Sequence, residues 1–130
     1  MRHFTPEEAN AALVEVRPLV EQMVEQRGLH VAALERQEEL EGHIRGNGGG
    51  IPPAELATLE HEVNEAATEL AAAMGDVQAV GVLIKDLDSG LVDFPAKRDG
   101  EDILLCWQLG EDEVAFWHGL EDGFAGRQPL

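Results

Sequence analysis

Residues 46–53 read GNGGGIPP and divide the first part of the chain in two. Glycine and proline are the poorest helix formers, so a run with four glycines and two prolines ends any helix that reaches it. On either side the sequence is rich in Glu, Ala, Leu and Val, with apolar residues three or four positions apart. This pattern predicts two helices joined by a short loop, which is an antiparallel helical hairpin.

The first helix has a well-marked beginning. Residues 5–8 (TPEE) supply a threonine for the N-cap, a proline for the first turn and a glutamate that can bond back to the threonine amide. Pro18 lacks an amide donor, so we expect a short helix over 6–16 joined, through a break or bend, to a long helix over 18–45. The apolar stripe of this helix consists of Leu13, Val16, Val20, Met23, Val31 and Leu34.

The second predicted helix covers residues 54–74 and has a more regular stripe. Its apolar residues alternate steps of three and four, as in the seam of a coiled coil. We expect this seam to pack against the first helix or against a second copy of the chain. The seam consists of Leu56, Leu59, Val63, Ala66, Leu70 and Ala73.

Beyond residue 75, apolar runs rich in β-branched and aromatic residues are separated by Asp- and Gly-rich turns, which is typical of antiparallel strands. We expect Pro95 to stop the second strand. The fourth apolar run, at residues 114–118, could begin a helix instead of forming a strand. If residues 110–113 (GEDE) close a tight hairpin, Ile103 lies opposite His118. The predicted strands lie within residues 77–86, 91–94, 103–109 and 114–118.

Together these patterns predict one α+β domain over residues 1–130. A long antiparallel helical hairpin would occupy residues 1–75. A small antiparallel β-meander of three to four strands, followed by a structured C-terminal tail, would occupy residues 76–130.

Charge and composition narrow the classes of function. The chain has 9 basic and 26 acidic side chains and a net charge of -17, which disfavours binding to nucleic acid and to anionic membranes. It lacks the apolar segment of a signal peptide and any run long enough to span a bilayer. Its single cysteine, Cys106, cannot form an internal disulfide. We therefore expect a cytoplasmic protein that binds neither nucleic acid nor membrane.

Four segments of the chain resemble the DUF2203 family of short bacterial proteins of unknown function. They are FTPEEANAAL at residues 4–13, GLVDFPA at 90–96, LLCWQLGE at 104–111 and FWHGLEDGFAGRQPL at 116–130. The resemblance supplies no activity. It implies a bacterial cytoplasmic protein, and it implies that the C-terminal tail belongs to the defining pattern of the domain.

The candidate residues for binding a ligand or a partner are Asp93, Trp107, His118 and Arg127. Asp93 could be solvated on a short strand, paired with Arg127, or in contact with His118. Trp107 is accounted for by packing alone. Arg127 could present its planar fork to an anionic ligand or a partner's carboxylate, or it could tie the tail to an acid, with Asp93 the first choice. If Arg127 ties the tail to an acid in this way, we expect Phe124 to be buried in the core.

A divalent metal is the one cofactor that the sequence suggests. His118 and Glu121 lie close together in the chain, and His61 on the second helix could add an imidazole. This set is much weaker than a two-histidine motif. Cys106 lies in a central apolar strand, where we expect an inert buried side chain.

Two hypotheses about function follow. The first is a non-catalytic role in binding or self-assembly, as a homodimer formed through the helical seam. The alternative is a small ligand-binding domain or metal-dependent enzyme with a site around Asp93, His118 and Arg127.

Overall fold

The computed structural model describes residues 2–46 and 53–130. It confirms the predicted α+β class, but the sheet has five strands rather than three to four. The centre of the predicted interhelical loop, residues 47–52, lies outside the described residues. The elements are α1 (Pro6–Gly46), α2 (Pro53–Ala79), β1 (Leu83–Asp86), β2 (Leu91–Arg98), β3 (Glu101–Gln108), β4 (Phe116–Gly119), a 3-10 helix (Phe124–Gly126) and β5 (Gln128–Pro129).

Helix α1 begins at the predicted capping box. The Thr5 amide donates to Glu8 Oε1 at 2.9 Å, and the Glu8 amide donates to Thr5 Oγ1 at 3.1 Å. The expected division at Pro18 is wrong, because the helix is continuous from Pro6 to Gly46. Pro18 cannot donate to the carbonyl of Val14 four residues earlier. The Val14 side chain is 86% exposed, so this face of the helix lies in water, which can bind the carbonyl instead.

Helix α2 runs past its predicted end to Ala79, so residues 77–79 are helical and not part of the first strand. Val77 and Val80 continue the three- and four-residue spacing of the seam, and both are buried in the core. Gly81, with a φ of 105°, then ends the helical segment in a conformation that favours glycine.

The five strands form an antiparallel meander in the order β1-β2-β3-β4-β5. The expectation that Pro95 stops the second strand is wrong, because β2 continues to Arg98. The Pro95 carbonyl accepts from the Phe4 amide at 2.7 Å. The backbone nitrogen and carbonyl of one strand residue point to the same edge of the strand. For Pro95 this is the edge facing Phe4 and away from β3, so the missing Pro95 amide removes no hydrogen bond to β3.

The connection between β3 and β4 is longer than the predicted GEDE hairpin, and the register differs by one residue. His118 pairs with Leu104, not with Ile103. Side chains of helix α1 fix the path of this connection by hydrogen bonds to its backbone. The Asn10 side chain bonds both the amide and the carbonyl of Val114, and Arg17 donates to the carbonyls of residues 111 and 112. The fourth segment is a strand, as favoured, over Phe116–Gly119.

One face of the sheet packs against the first part of α1 and the last part of α2. The core reaches along α1 as far as Val24 and back along α2 as far as Leu70. We call this part the body. The remainder of the two helices, residues 25–46 and 53–69, contributes no residue to this core, and we call it the arm. No helix among residues 2–46 and 53–130 is both long and apolar enough to cross a membrane.

Candidate functional site

The outer face of the sheet, turned away from the helices, carries polar side chains that are nevertheless buried. Asp93 on β2 lies directly opposite Cys106 on β3. His118 on β4 lies on the same face, because its partner Leu104 is two residues from Cys106. Asp93 is 1% exposed and His118 is 3% exposed. Buried polar groups in such positions require partners.

Asp93 and His118 are those partners for each other. Nε2 of His118 lies 3.1 Å from both carboxylate oxygens of Asp93, while Nδ1 lies 2.7 Å from the Gly119 carbonyl oxygen. A carbonyl only accepts, so Nδ1 carries a proton. A second proton is then shared between Nε2 and the carboxylate, which makes the pair neutral as a whole. Burial raises the pKa of the Asp93 carboxyl, and the adjacent His118 opposes that shift.

Cys106 lies between the two strands that carry this pair. Burial raises the pKa of its thiol to about 11, although the nearby Arg127 works in the opposite direction. A thiol of this kind is protonated at neutral pH and is a poor nucleophile. The expectation of a buried side chain at Cys106 is confirmed.

Arg127 crosses the outer face of the sheet from the C-terminal segment. Its guanidinium makes a two-pronged contact with Glu111, at 3.1 and 2.8 Å, and lies 3.9 Å from the Cys106 sulfur. The rings of Phe116 and Phe124 flank it at 4.0 and 4.3 Å. These contacts fix the tail over the strands, because an arginine fork held by a carboxylate and two rings has little freedom.

Arg127 meets an acid, as expected, but the first choice of acid is wrong, and so is the expected burial of Phe124. Arg127 pairs with Glu111, not Asp93, because Glu111 in the β3–β4 connection reaches the guanidinium while Asp93 is occupied by His118. Phe124 is 45% exposed, because it stacks on Arg127 rather than entering the core. The tail is therefore held by a polar contact and a stacking contact, not by an apolar plug.

The remaining candidates lie elsewhere. Trp107 is fully buried in the core between sheet and helices, where its indole donates to the Glu111 carbonyl at 3.0 Å. His61 lies on the arm, 79% exposed and 3.5 Å from Glu65. Glu121 is exposed in the turn after β4. Among the described residues, Asp93, Cys106 and His118 form the one close cluster of potential metal ligands.

The cluster does not have the geometry of a nucleophilic triad. Such a triad places the nucleophile on one imidazole nitrogen and the orienting acid on the other. Here Nε2 faces the acid and Nδ1 faces a carbonyl.

The pairing of Cys106 with Asp93 can be predicted from the sequence, because a two-residue turn at Asp99-Gly100 fixes the register of β2 on β3.

Comparisons with known proteins give one match. A family model described as "Uncharacterized conserved protein (DUF2203)" matches residues 2–130. No similar protein was found among curated proteins or among solved structures. The match covers both helices, the whole sheet and the C-terminal segment. The chain therefore belongs to the DUF2203 family, whose function is uncharacterised.

Proposed function

We propose that this protein is a non-catalytic cytoplasmic domain that assembles into a homodimer through its arm. The observation that carries the proposal is the difference in burial along the two helices. In the described part of the arm only Ala33 is buried, although the apolar seam continues through it. Leu29 is 53% exposed and Leu34 is 37% exposed. The two helices alone cover this seam only in part, whereas two hairpins together can form a four-helix bundle.

The arm offers shallow grooves between its helices for a second copy. One groove is lined by Leu29, Ala33 and Ala66, with acidic side chains at its rim, and a second by Leu40 and Leu59. Small residues at the floor let a further helix approach closely. A second copy supplies the matching surface, because an isologous contact needs only one self-complementary patch.

Charge shapes how this assembly responds to salt. The net charge of -17 means that two copies repel each other at long range. Salt screens this repulsion, since the Debye length falls from roughly 30 Å at 0.01 M to roughly 10 Å at 0.1 M. Association through an apolar seam should therefore strengthen as salt is added.

Several arginines are committed to contacts within the chain, which supports the proposal that the protein binds no nucleic acid. Arg17 bonds two carbonyls of the β3–β4 connection, Arg127 bonds Glu111, and Arg27 bonds Asp88. A phosphate backbone requires free cationic side chains grouped on one surface.

The test compares two exposed apolar residues of α1 that differ in position. Leu29→Glu places a charge in the groove of the arm, and Val14→Glu places the same charge on the body end of the helix. Light scattering should give twice the chain mass for the wild type and for Val14→Glu, and the chain mass for Leu29→Glu. A monomeric wild type, or a Leu29→Glu variant that stays dimeric, would overturn the proposal.

A further inference from the structure

We propose that Asp93, Cys106 and His118 form a binding site for a divalent transition-metal ion of the zinc class. Each residue contributes one potential ligand atom, and these atoms all lie within 4.8 Å of one another. All three side chains are buried on the outer face of the sheet. The site is independent of the arm and of any assembly through it.

The spacing of the three ligand atoms suits a tetrahedral ion. Zinc binds histidine nitrogen and carboxylate oxygen at about 2.0–2.2 Å and thiolate sulfur at about 2.3 Å, so its ligands lie roughly 3.3–3.8 Å apart. The His118 nitrogen is already 3.1 Å from the Asp93 oxygens. Side-chain rotations that bring the three ligand atoms from at most 4.8 Å apart to this spacing would admit an ion.

The donor set selects the class of metal. Calcium and magnesium take oxygen ligands almost exclusively. A thiolate and an imidazole beside one carboxylate instead match zinc and its neighbours in the first transition row. Three side chains leave a fourth position open, which a water molecule or a small anion would occupy.

The orientation of His118 is that of a metal ligand. In metal sites the imidazole nitrogen that does not bind the ion usually donates to a carbonyl or a carboxylate, which fixes the plane of the ring. The contact of Nδ1 with the Gly119 carbonyl performs this role. It leaves Nε2 directed toward the Asp93 carboxylate.

Charge balance allows an ion to enter without burying net charge. Before binding, the Asp93–His118 pair is neutral and the Cys106 thiol carries its proton. A divalent ion would displace two protons, one from the thiol and one shared by the pair, and would leave two anionic ligands around a double positive charge. The three ligands together with the ion therefore add no net charge to the site, and the Arg127 guanidinium near the Cys106 sulfur is itself paired with Glu111.

Cobalt(II) is a suitable probe, because it takes the coordination geometry of zinc and its bond to a thiolate absorbs in the near ultraviolet. The full chain would be stripped with a chelator and titrated with zinc and with cobalt. We expect one ion per chain, a thiolate-to-cobalt band, and a melting temperature raised by several degrees, because the ion binds only the folded state. Calorimetry in two buffers of different ionisation enthalpy should show two protons released per ion.

Three variants separate this site from weak surface binding. Cys106→Ala should lose the cobalt band and His118→Phe should lose stoichiometric binding. His61→Ala removes the exposed imidazole beside Glu65 and should change neither result. Cys106→Ala or His118→Phe could fail to fold, so circular dichroism must first show that each variant has native helix content. If either variant is unfolded, the thiolate-to-cobalt band of the wild type still tests the proposal by itself.

The proposal fails if the stripped wild type binds no stoichiometric ion, or if cobalt binds without a thiolate band. It also fails if binding survives in Cys106→Ala and is lost in His61→Ala. A monomeric wild type would leave these results unchanged, so this proposal and the homodimer can fail separately.

Discussion

The two ends of the helical hairpin are built from the same helices and similar apolar residues, yet they differ in how those residues are covered. In the body, Leu13, Val16, Val20 and Met23 are at most 5% exposed because the sheet lies against them. In the arm, which contributes no residue to the core under the sheet, the corresponding stripe is only partly buried. An apolar stripe on a helix thus predicts burial only where a third surface is present.

The body also buries polar groups that the arm leaves in water. The ion pair of Arg127 and Glu111 is 18% and 24% exposed, and that of Arg36 and Glu62 in the arm is 53% and 45% exposed. The body should consequently determine the stability of the isolated chain. The arm should contribute mainly when a second copy is bound.

The largest effect should come from the centre of the body. Phe94 is fully buried and its ring meets that of Phe4 edge-to-face at a centroid distance of 5.2 Å. Phe94→Ala should lower the free energy of unfolding by about 3–5 kcal/mol, measured by chemical denaturation. A cost below 1 kcal/mol would mean that the sheet does not depend on this face of its core.

The next effect compares equivalent leucines of α2. Leu70→Ala in the body should lower the free energy of unfolding by about 2–4 kcal/mol at every protein concentration. Leu59→Ala in the arm should cost less than this in dilute solution, and more as concentration rises, because the proposed homodimer would bury Leu59 further. If both substitutions lowered the free energy of unfolding equally, and by the same amount at every protein concentration, the body and the arm would not differ in the way described.

A smaller effect separates the two ion pairs. A double-mutant cycle on Arg127 and Glu111 should give a coupling free energy of about 1 kcal/mol, since the contact is two-pronged and partly shielded. The same cycle on Arg36 and Glu62, a single contact at 3.2 Å, should give about 0–0.5 kcal/mol. If the coupling free energy of Arg36 and Glu62 were as large as that of Arg127 and Glu111, the ion pair in the arm would be no weaker than the one in the body, contrary to this prediction.

The smallest effect concerns the end of α1 that belongs to the body. Hydrogen bonding to the Thr5 amide lowers the pKa of Glu8 below its ordinary value of 4.5. A lowered pKa means that the contribution of Glu8 to stability is present above about pH 4.5 and is lost as the pH falls through the lowered value. Thermal unfolding of the wild type and of Glu8→Gln between pH 3 and 7 should therefore differ most at the upper end of that range.

Local patterns in the sequence predict much of this fold. The capping box at Thr5 and Glu8 is confirmed, since its chemistry involves only neighbouring residues. The end of α2 and the register of β4 were mispredicted, because both depend on surfaces distant in the chain. Val77 is held in the helix by the core, and Asn10 holds Val114 across 104 residues.

The candidate site was accessible from the sequence only in part. The sequence predicts Asp93 and His118 as candidate site residues, and a contact between them is one of the alternatives it leaves open. The role of Glu111 as the partner of Arg127 could not be predicted, because it depends on the path of the connection that Arg17 holds open. The two-residue turn at Asp99-Gly100 places Asp93 opposite Cys106, but the addition of His118 depends on the register of β4, which the sequence does not predict.

The contacts between the start and the end of the chain also constrain the order of folding during synthesis. Phe4 packs on Phe94, Arg17 bonds the connection after β3, and Asn10 bonds Val114. On a ribosome that releases the chain from its N-terminus, the helical hairpin emerges complete while these partners are still unmade. The face of α1 that belongs to the body therefore lacks its last partners until residue 114 has left the exit tunnel, and nascent chains stalled before that point are the ones a chaperone would need to protect.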